Sequence, residues 1–225
     1  MGPPQMMDHW AREQTWPRDR RLWAFYVTCG AITPFVDYAQ MFQEQLSRLP
    51  GLDVVEPRWL HMTVLGVGFV DEVEPAVMAR LVDQAASLVD GEAPIDMVAQ
   101  APRARVDAVW LSVDTTPSLI PLRERLREAV VECLGREPHA LPAPSGGFRP
   151  HISIAYTGAD APTNAEVDDR LRLVDVPPAE FRVSHLSLLP LRRQAPRWFW
   201  DEERRLPFHG AEGNRREASF PQVVP

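Results

Sequence analysis

Apolar positions along the chain fall into two successive series. "RLWAFYVTC" (Arg21–Cys29) is an apolar, β-rich run of strand length, and "PFVDYAQMFQEQLSRL" (Pro34–Leu49) spaces its apolar residues for a helix. "WLHMTVLGV" (Trp59–Val67) then predicts a second strand. The later series repeats this order: "DAVWLSVD" (Asp107–Asp114) as a strand, "PSLIPLRERLREAVVECLG" as an amphipathic helix closed by Gly135, and "RPHISIAYTG" (Arg149–Gly158) as a strand. Each series adds a helical stretch, "EPAVMARLVDQAASLVD" or "TNAEVDDRLRLV", and a further strand, "PIDMVAQAP" or "EFRVSHLSLLPL". Trp23 precedes His61 at nearly the spacing at which Trp110 precedes His151, which pairs the two tryptophans across an internal repeat.

These series predict one bilobal domain over residues 20–208, with repeats at about 20–103 and 104–208 sharing a central cleft. The flanks, 1–19 and 209–225, lack apolar periodicity and read as loosely packed tails. "REPHALPAPSGGF" (Arg136–Phe148) reads as a surface loop able to cover a ligand.

Composition narrows the chemistry. With 225 residues, 45% of them hydrophobic, the chain is long enough for a sizeable core. It contains no apolar run of membrane-spanning length and no apolar signal core near residue 1, so a cytoplasmic location is expected. All 24 cationic side chains are arginine. Without lysine there is no phosphate-binding Walker lysine, no Schiff base and no lysyl-nucleotidate intermediate. A net charge of −7 argues against coating long nucleic acid, while leaving room for a short phosphorylated ligand held by a few arginines. Cys29 and Cys133, few and far apart, are expected to be buried free thiols.

The polar interruptions of two strands carry the functional signal. Residues at i and i+2 of a strand leave the same face, so His61 with Thr63, and His151 with Ser153, point together while Met62, Val64, Ile152 and Ile154 point away. Either strand alone reads better as a structural histidine; recurrence at matching places in two repeats reverses that preference. Two imidazoles and two hydroxyls across one cleft suit phosphodiester chemistry: one imidazole takes a proton from the attacking oxygen, the other gives one to the departing oxygen, and the hydroxyls donate to the phosphoryl oxygens.

"HMTV" at His61 and "HISI" at His151, each followed by a glycine-containing turn, resemble the paired His-x-Thr/Ser signatures of the two-histidine (2H) phosphoesterase superfamily, which includes the 2'-5' RNA ligase/cyclic phosphodiesterase proteins. The resemblance runs from about Leu22 to Phe208 and includes a late "WFWDEERRLPF" strand. It implies an α+β fold of the LigT-like kind: bilobal and duplicated, with two antiparallel sheets lining the cleft and helices outside. The implied activity is a metal-independent phosphodiesterase hydrolysing a 2',3'-cyclic phosphate or a 2'-5'-linked nucleotide, with no cofactor, no metal, a nucleotide or short RNA-type substrate and a monomeric chain. A 2'-5' RNA ligase, an enzyme degrading a cyclic-oligonucleotide signal, and a non-catalytic nucleotide- or RNA-binding module on the same fold are the alternatives. By resemblance His151 is the base and His61 the acid. Two positions depart from the family pattern: Tyr156 stands where ligase-type members have arginine, and Gly66 where an aromatic is usual.

Candidate substrate contacts are Arg149 for a phosphate and Trp59 and Tyr156 for stacking on a base, with Phe148 in the covering loop. A third His-x-Ser, His185 with Ser187, has no counterpart in the first repeat and reads first as structural, second as a substrate contact. Arg192, Arg193 and Arg197 read as a solvated face, and His9, His139 and His209 carry no recognisable constellation.

Overall fold

A computed structural model describes residues 5–11, 16–17, 19–115, 117–141 and 147–210. Two antiparallel sheets form its centre. In the first, β1 (Arg21–Thr28) lies between β3 (His61–Phe69) and β9 (His185–Gln194), and β9 also carries β10 (Arg197–Phe199) and β11 (Arg204–Pro207). In the second, β7 (His151–Thr157) lies between β2 (Leu52–Val54) and β6 (Ala108–Thr115). Beyond β6 come β4 (Ile95–Ala99), β8 (Ala179–Val183) and the short β5 (Arg103–Ala104). The architecture is α+β, with four helices among the described residues.

Those helices form where the apolar spacing places them. Helix α1 (Thr33–Leu46) turns Phe35, Tyr38, Ala39, Phe42 and Leu46 inward, one face of a 3.6-residue period. Helices α2 (Pro75–Asp90) and α3 (Leu119–Leu134) pack on one another, and α3 ends where Gly135 takes the left-handed conformation, φ +67°. Helix α4 (Asn164–Leu171) starts on a capping box in which the Thr163 hydroxyl accepts from the Glu166 amide and Glu166 accepts from the Thr163 amide.

The lobes are not the two sequence halves. Strands β2 and β4, from the first half, complete the second sheet, and β9 to β11, from the second half, complete the first. Helices cross over as well: α1 packs on β7 and β8, and α3 on β3. The stretch "EFRVSHLSLLPL" is two strands, parted at Ser184, whose halves β8 and β9 lie in different sheets. Alternation of apolar residues sets which face of a strand is buried and leaves its partner open, so this interleaving has no one-dimensional signature.

The N-terminal segment differs from the loose tail the sequence suggests. The Met6, Met7 and His9 amides donate to the Pro162, Val106 and Thr157 carbonyls, and Met6 and Trp16 are buried in the core. His9 holds both lobes, accepting from Trp198 Nε1 on β10 at 2.9 Å and meeting Asp107 beside β6 at 3.2 Å. Anchoring comes from single side chains with distant partners rather than from periodicity. Residues 211–225 of the predicted C-terminal tail lie outside the described residues, as do 142–146 of the predicted loop. Cys29 and Cys133 are buried and free. No helix among the described residues is long and apolar enough to cross a membrane.

Candidate active site

His61 opens β3 and His151 opens β7, and the two strands are in contact at the junction of the sheets. Along each strand the alternation is as expected: His61, Thr63, His151 and Ser153 are partly exposed, while Met62, Val64, Ile152 and Ile154 are 0% exposed. Each imidazole is held in the same way. His61 Nδ1 lies 2.7 Å from the Trp59 carbonyl, and His151 Nδ1 lies 2.8 Å from the Arg149 carbonyl. A carbonyl only accepts, so Nδ1 carries the hydrogen and donates, leaving both Nε2 atoms for a ligand.

Across the ladder, Tyr26 on β1 is opposite Thr63, and Trp110 on β6 is opposite Ser153. Directly opposed residues share a face, which sets each aromatic ring beside its histidine. Tyr26 stands edge-on to His61 with ring centroids 5.0 Å apart, and Trp110 edge-on to His151 at 3.7 Å. The counterpart of Trp110 is thus Tyr26 and not Trp23, a correction to the repeat register.

A bulge follows each hydroxyl. Phe25 pairs with Leu65 but Tyr26 with Thr63, which leaves Val64 extra; Val109 pairs with Ala155 but Trp110 with Ser153, which leaves Ile154 extra. Each extra residue's carbonyl is bound by a side chain from the helix of the opposite half: Arg123 of α3 donates to Val64 at 3.0 Å, and Gln43 of α1 donates to Ile154 at 2.9 Å. Beyond the bulge the parity of the strand is inverted. Tyr156 consequently shares the face of His151 and Ser153, and Gly66 that of His61 and Thr63. At Gly66 a Cβ would lie 2.5 Å from the His139 carbonyl, so the segment running past β3 admits only glycine there.

Burial pushes the His61 imidazole down to about 4, partly offset by its bond to the Trp59 carbonyl, and the charge of His151 lowers it further. His151 is lowered by burial, opposed by its bond to the Arg149 carbonyl, and lowered again by Arg105. Arg105 lies over the Trp110 ring at 5.0 Å and adds a cation beside His151 that the sequence pattern did not single out.

Other expected contacts fare differently. Arg149 is exposed at the start of β7. Trp59 joins an aromatic wall, edge-on to Trp200 at 4.9 Å, and Trp200 in turn touches the His61 ring at 5.6 Å. Phe148 lies beneath the Arg123 guanidinium at 5.0 Å. Tyr156 is only 7% exposed, and its ring packs on His9 at 4.4 Å, so the face expected to stack on a base is occupied by the N-terminal segment.

His185 lies beyond Thr28, two strands from His61 on the same sheet face. Glu203 Oε1 accepts from the Thr28 and Ser187 hydroxyls at 2.9 and 2.7 Å. Thr28, its hydrogen committed, meets His185 Nε2 at 3.4 Å as an acceptor, so Nε2 is protonated and Nδ1 accepts from Ser184. This tautomer is opposite to that of His61 and His151. Among the described residues no three His, Cys, Asp or Glu side chains converge as a metal-binding group.

Two antiparallel sheets, each with a strand that opens on a histidine followed two residues on by a hydroxyl, make up an α+β protein of LigT-like fold. Solved structures share it: TT0787 of Thermus thermophilus covers 84% of this chain and 99% of its own, at TM-score 0.64 and 21% identity. LigT of E. coli complexed with 3'-AMP covers 84% and 99%, at 0.55 and 17%. A sequence model of the 2'-5' RNA ligase superfamily matches residues 34–195, a span holding both histidine motifs, and the chain belongs to that superfamily. The RNA 2',3'-cyclic phosphodiesterase of Thermus thermophilus is 31% identical over 124 residues, a match spanning 53% of this chain and 61% of that relative's length.

Proposed function

We propose that the protein is a metal-independent phosphodiesterase that hydrolyses a 2',3'-cyclic phosphate, or a closely related 2'-5' phosphodiester, on a nucleotide or short RNA. The observation that carries the reading is the mirrored pair of imidazoles, each with Nδ1 donating to a backbone carbonyl and Nε2 left for the ligand. Family membership and the phosphodiesterase relative support the reaction class. The 3'-AMP complex of E. coli LigT supports a nucleotide ligand.

In this mechanism a neutral Nε2 removes a proton from water as its oxygen attacks phosphorus. The bond from phosphorus to one ribose oxygen breaks, and the second imidazole delivers its Nε2 proton to that oxygen. Thr63 and Ser153 donate to the non-bridging oxygens, and Arg105 and Arg149 supply positive charge at the rim. The deeper lowering at His61 supports one order of roles. His61 is held neutral more firmly and serves as base; His151 keeps its proton more readily and serves as acid. This order is the reverse of the one implied by the family resemblance.

Incubation with nucleoside 2',3'-cyclic phosphates in EDTA tests the reading. Turnover should persist with chelator and fall by about 10²-fold or more in His61→Ala and in His151→Ala. Binding without turnover across cyclic and 2'-5'-linked substrates would instead identify a binding module.

A further inference from the structure

Tyr26 carries a hydroxyl that its packing does not require. Its ring sits at the centre of β1, opposite Thr63 on one side and Ser187 on the other, on the face that holds His61. In the second lobe the equivalent place is filled by Trp110, whose ring supports His151 and whose Nε1 is buried without a partner. Tyr26 is 0% exposed, and its hydroxyl has the Thr63 side chain as a hydrogen-bonding neighbour without a closed hydrogen bond. A buried phenol without a closed hydrogen bond is unfavourable compared with phenylalanine, so a partner for its proton is worth seeking beside it.

The surroundings indicate that partner. Burial holds the phenol proton far more tightly than usual, Tyr156 across the lobes adds to this, and the Thr63 side chain acts against it as a hydrogen-bonding neighbour. Tyr26 is therefore a proton donor throughout the working pH range. Ser187, on the other flank, already donates to Glu203 at 2.7 Å. Thr63 is partly exposed, whereas Tyr26 is wholly covered, so a ligand can reach the first and not the second. A threonine hydroxyl has one hydrogen and two lone pairs and rotates to suit its surroundings.

We propose that Tyr26 is a positioning residue that acts through Thr63: its O–H donates to the Thr63 oxygen when a phosphoryl group occupies the cleft, which turns the single Thr63 proton toward a non-bridging oxygen. The inference rests on the phosphodiesterase reading. It makes the Tyr26 oxygen part of transition-state stabilisation without direct contact with the substrate.

A double-mutant cycle tests it. With a nucleoside 2',3'-cyclic phosphate as substrate, Tyr26→Phe should lower kcat by about tenfold with KM and thermal midpoint little changed. In the Thr63→Val background the same substitution should have less than about a twofold effect. Thr63→Ser, which keeps the hydroxyl, should retain the sensitivity to Tyr26→Phe. Full activity in Tyr26→Phe, or an equal loss in both backgrounds, overturns the positioning role. A loss of kcat that follows a fall in thermal midpoint counts against it as well, because it assigns the hydroxyl to folding. Absence of turnover in the parent protein overturns the phosphodiesterase reading itself, and turnover that survives His61→Ala overturns the two-histidine mechanism; both results are distinct from any behaviour of Tyr26.

Discussion

At the scale of single residues, the two histidines share a hydrogen-bonding scheme and differ in depth, and that difference has measurable consequences. Burial pushes His61 down to about 4 and lowers His151 from its ordinary 6.5, so the assigned acid, His151, gains its proton only as the solution is acidified while His61 stays neutral to lower pH. The profile of kcat/KM against pH should rise as the pH is lowered from 8 toward 6, and a maximum above pH 7.5 would contradict the assigned roles. Folding is linked to the same group. Its folded value lies below its unfolded value, so between about pH 6.5 and 4 the unfolded chain binds the extra proton and stability falls as the pH falls. Urea midpoints across that range should drop less steeply for His61→Gln than for the parent protein.

At the scale of secondary-structure elements, the bulges in β3 and β7 determine what surrounds the histidines, and both are clamped from outside the strand. Gln43, buried in α1, donates to the carbonyls of Val55 and Ile154. Gln43→Leu leaves an amide-bonding site in apolar surroundings and should cost about 1–3 kcal/mol in urea unfolding. Elements and motif pairs were legible in the sequence because period-3.6 and period-2 patterns are written in neighbouring residues. The alternation of His61, Met62, Thr63 and Val64 gave the facing of the first motif correctly. The inserted residue in each strand was invisible to the same reasoning, since an unbroken alternation sends Tyr156 to the face opposite His151. Tyr26 was equally hidden: its pairing with Thr63 depends on register between strands, and the similar spacing of the two tryptophans drew attention to Trp23 instead. Arg105 and Trp200 reach the site through loops and edge strands that carry no periodic signal.

At the scale of the whole molecule, the N-terminal segment and the interleaved lobes join the two halves of the chain. Deleting residues 1–17 removes buried Met6 and Trp16, each worth about 1.5–3 kcal/mol, and uncovers Tyr156 and Trp198. Denaturant unfolding should record a loss of several kcal/mol, a large share of an ordinary domain's stability. The exchange of strands reaches further. Until β9 exists, β1 has only β3 beside it, and until α3 exists the kink in β3 lacks its arginine clamp. A polypeptide still emerging from the ribosome, or one clipped between the repeats, thus holds no half-sized catalyst. On the phosphodiesterase reading the site is complete only after β9 has been made, and two separately expressed halves should regain activity only when mixed.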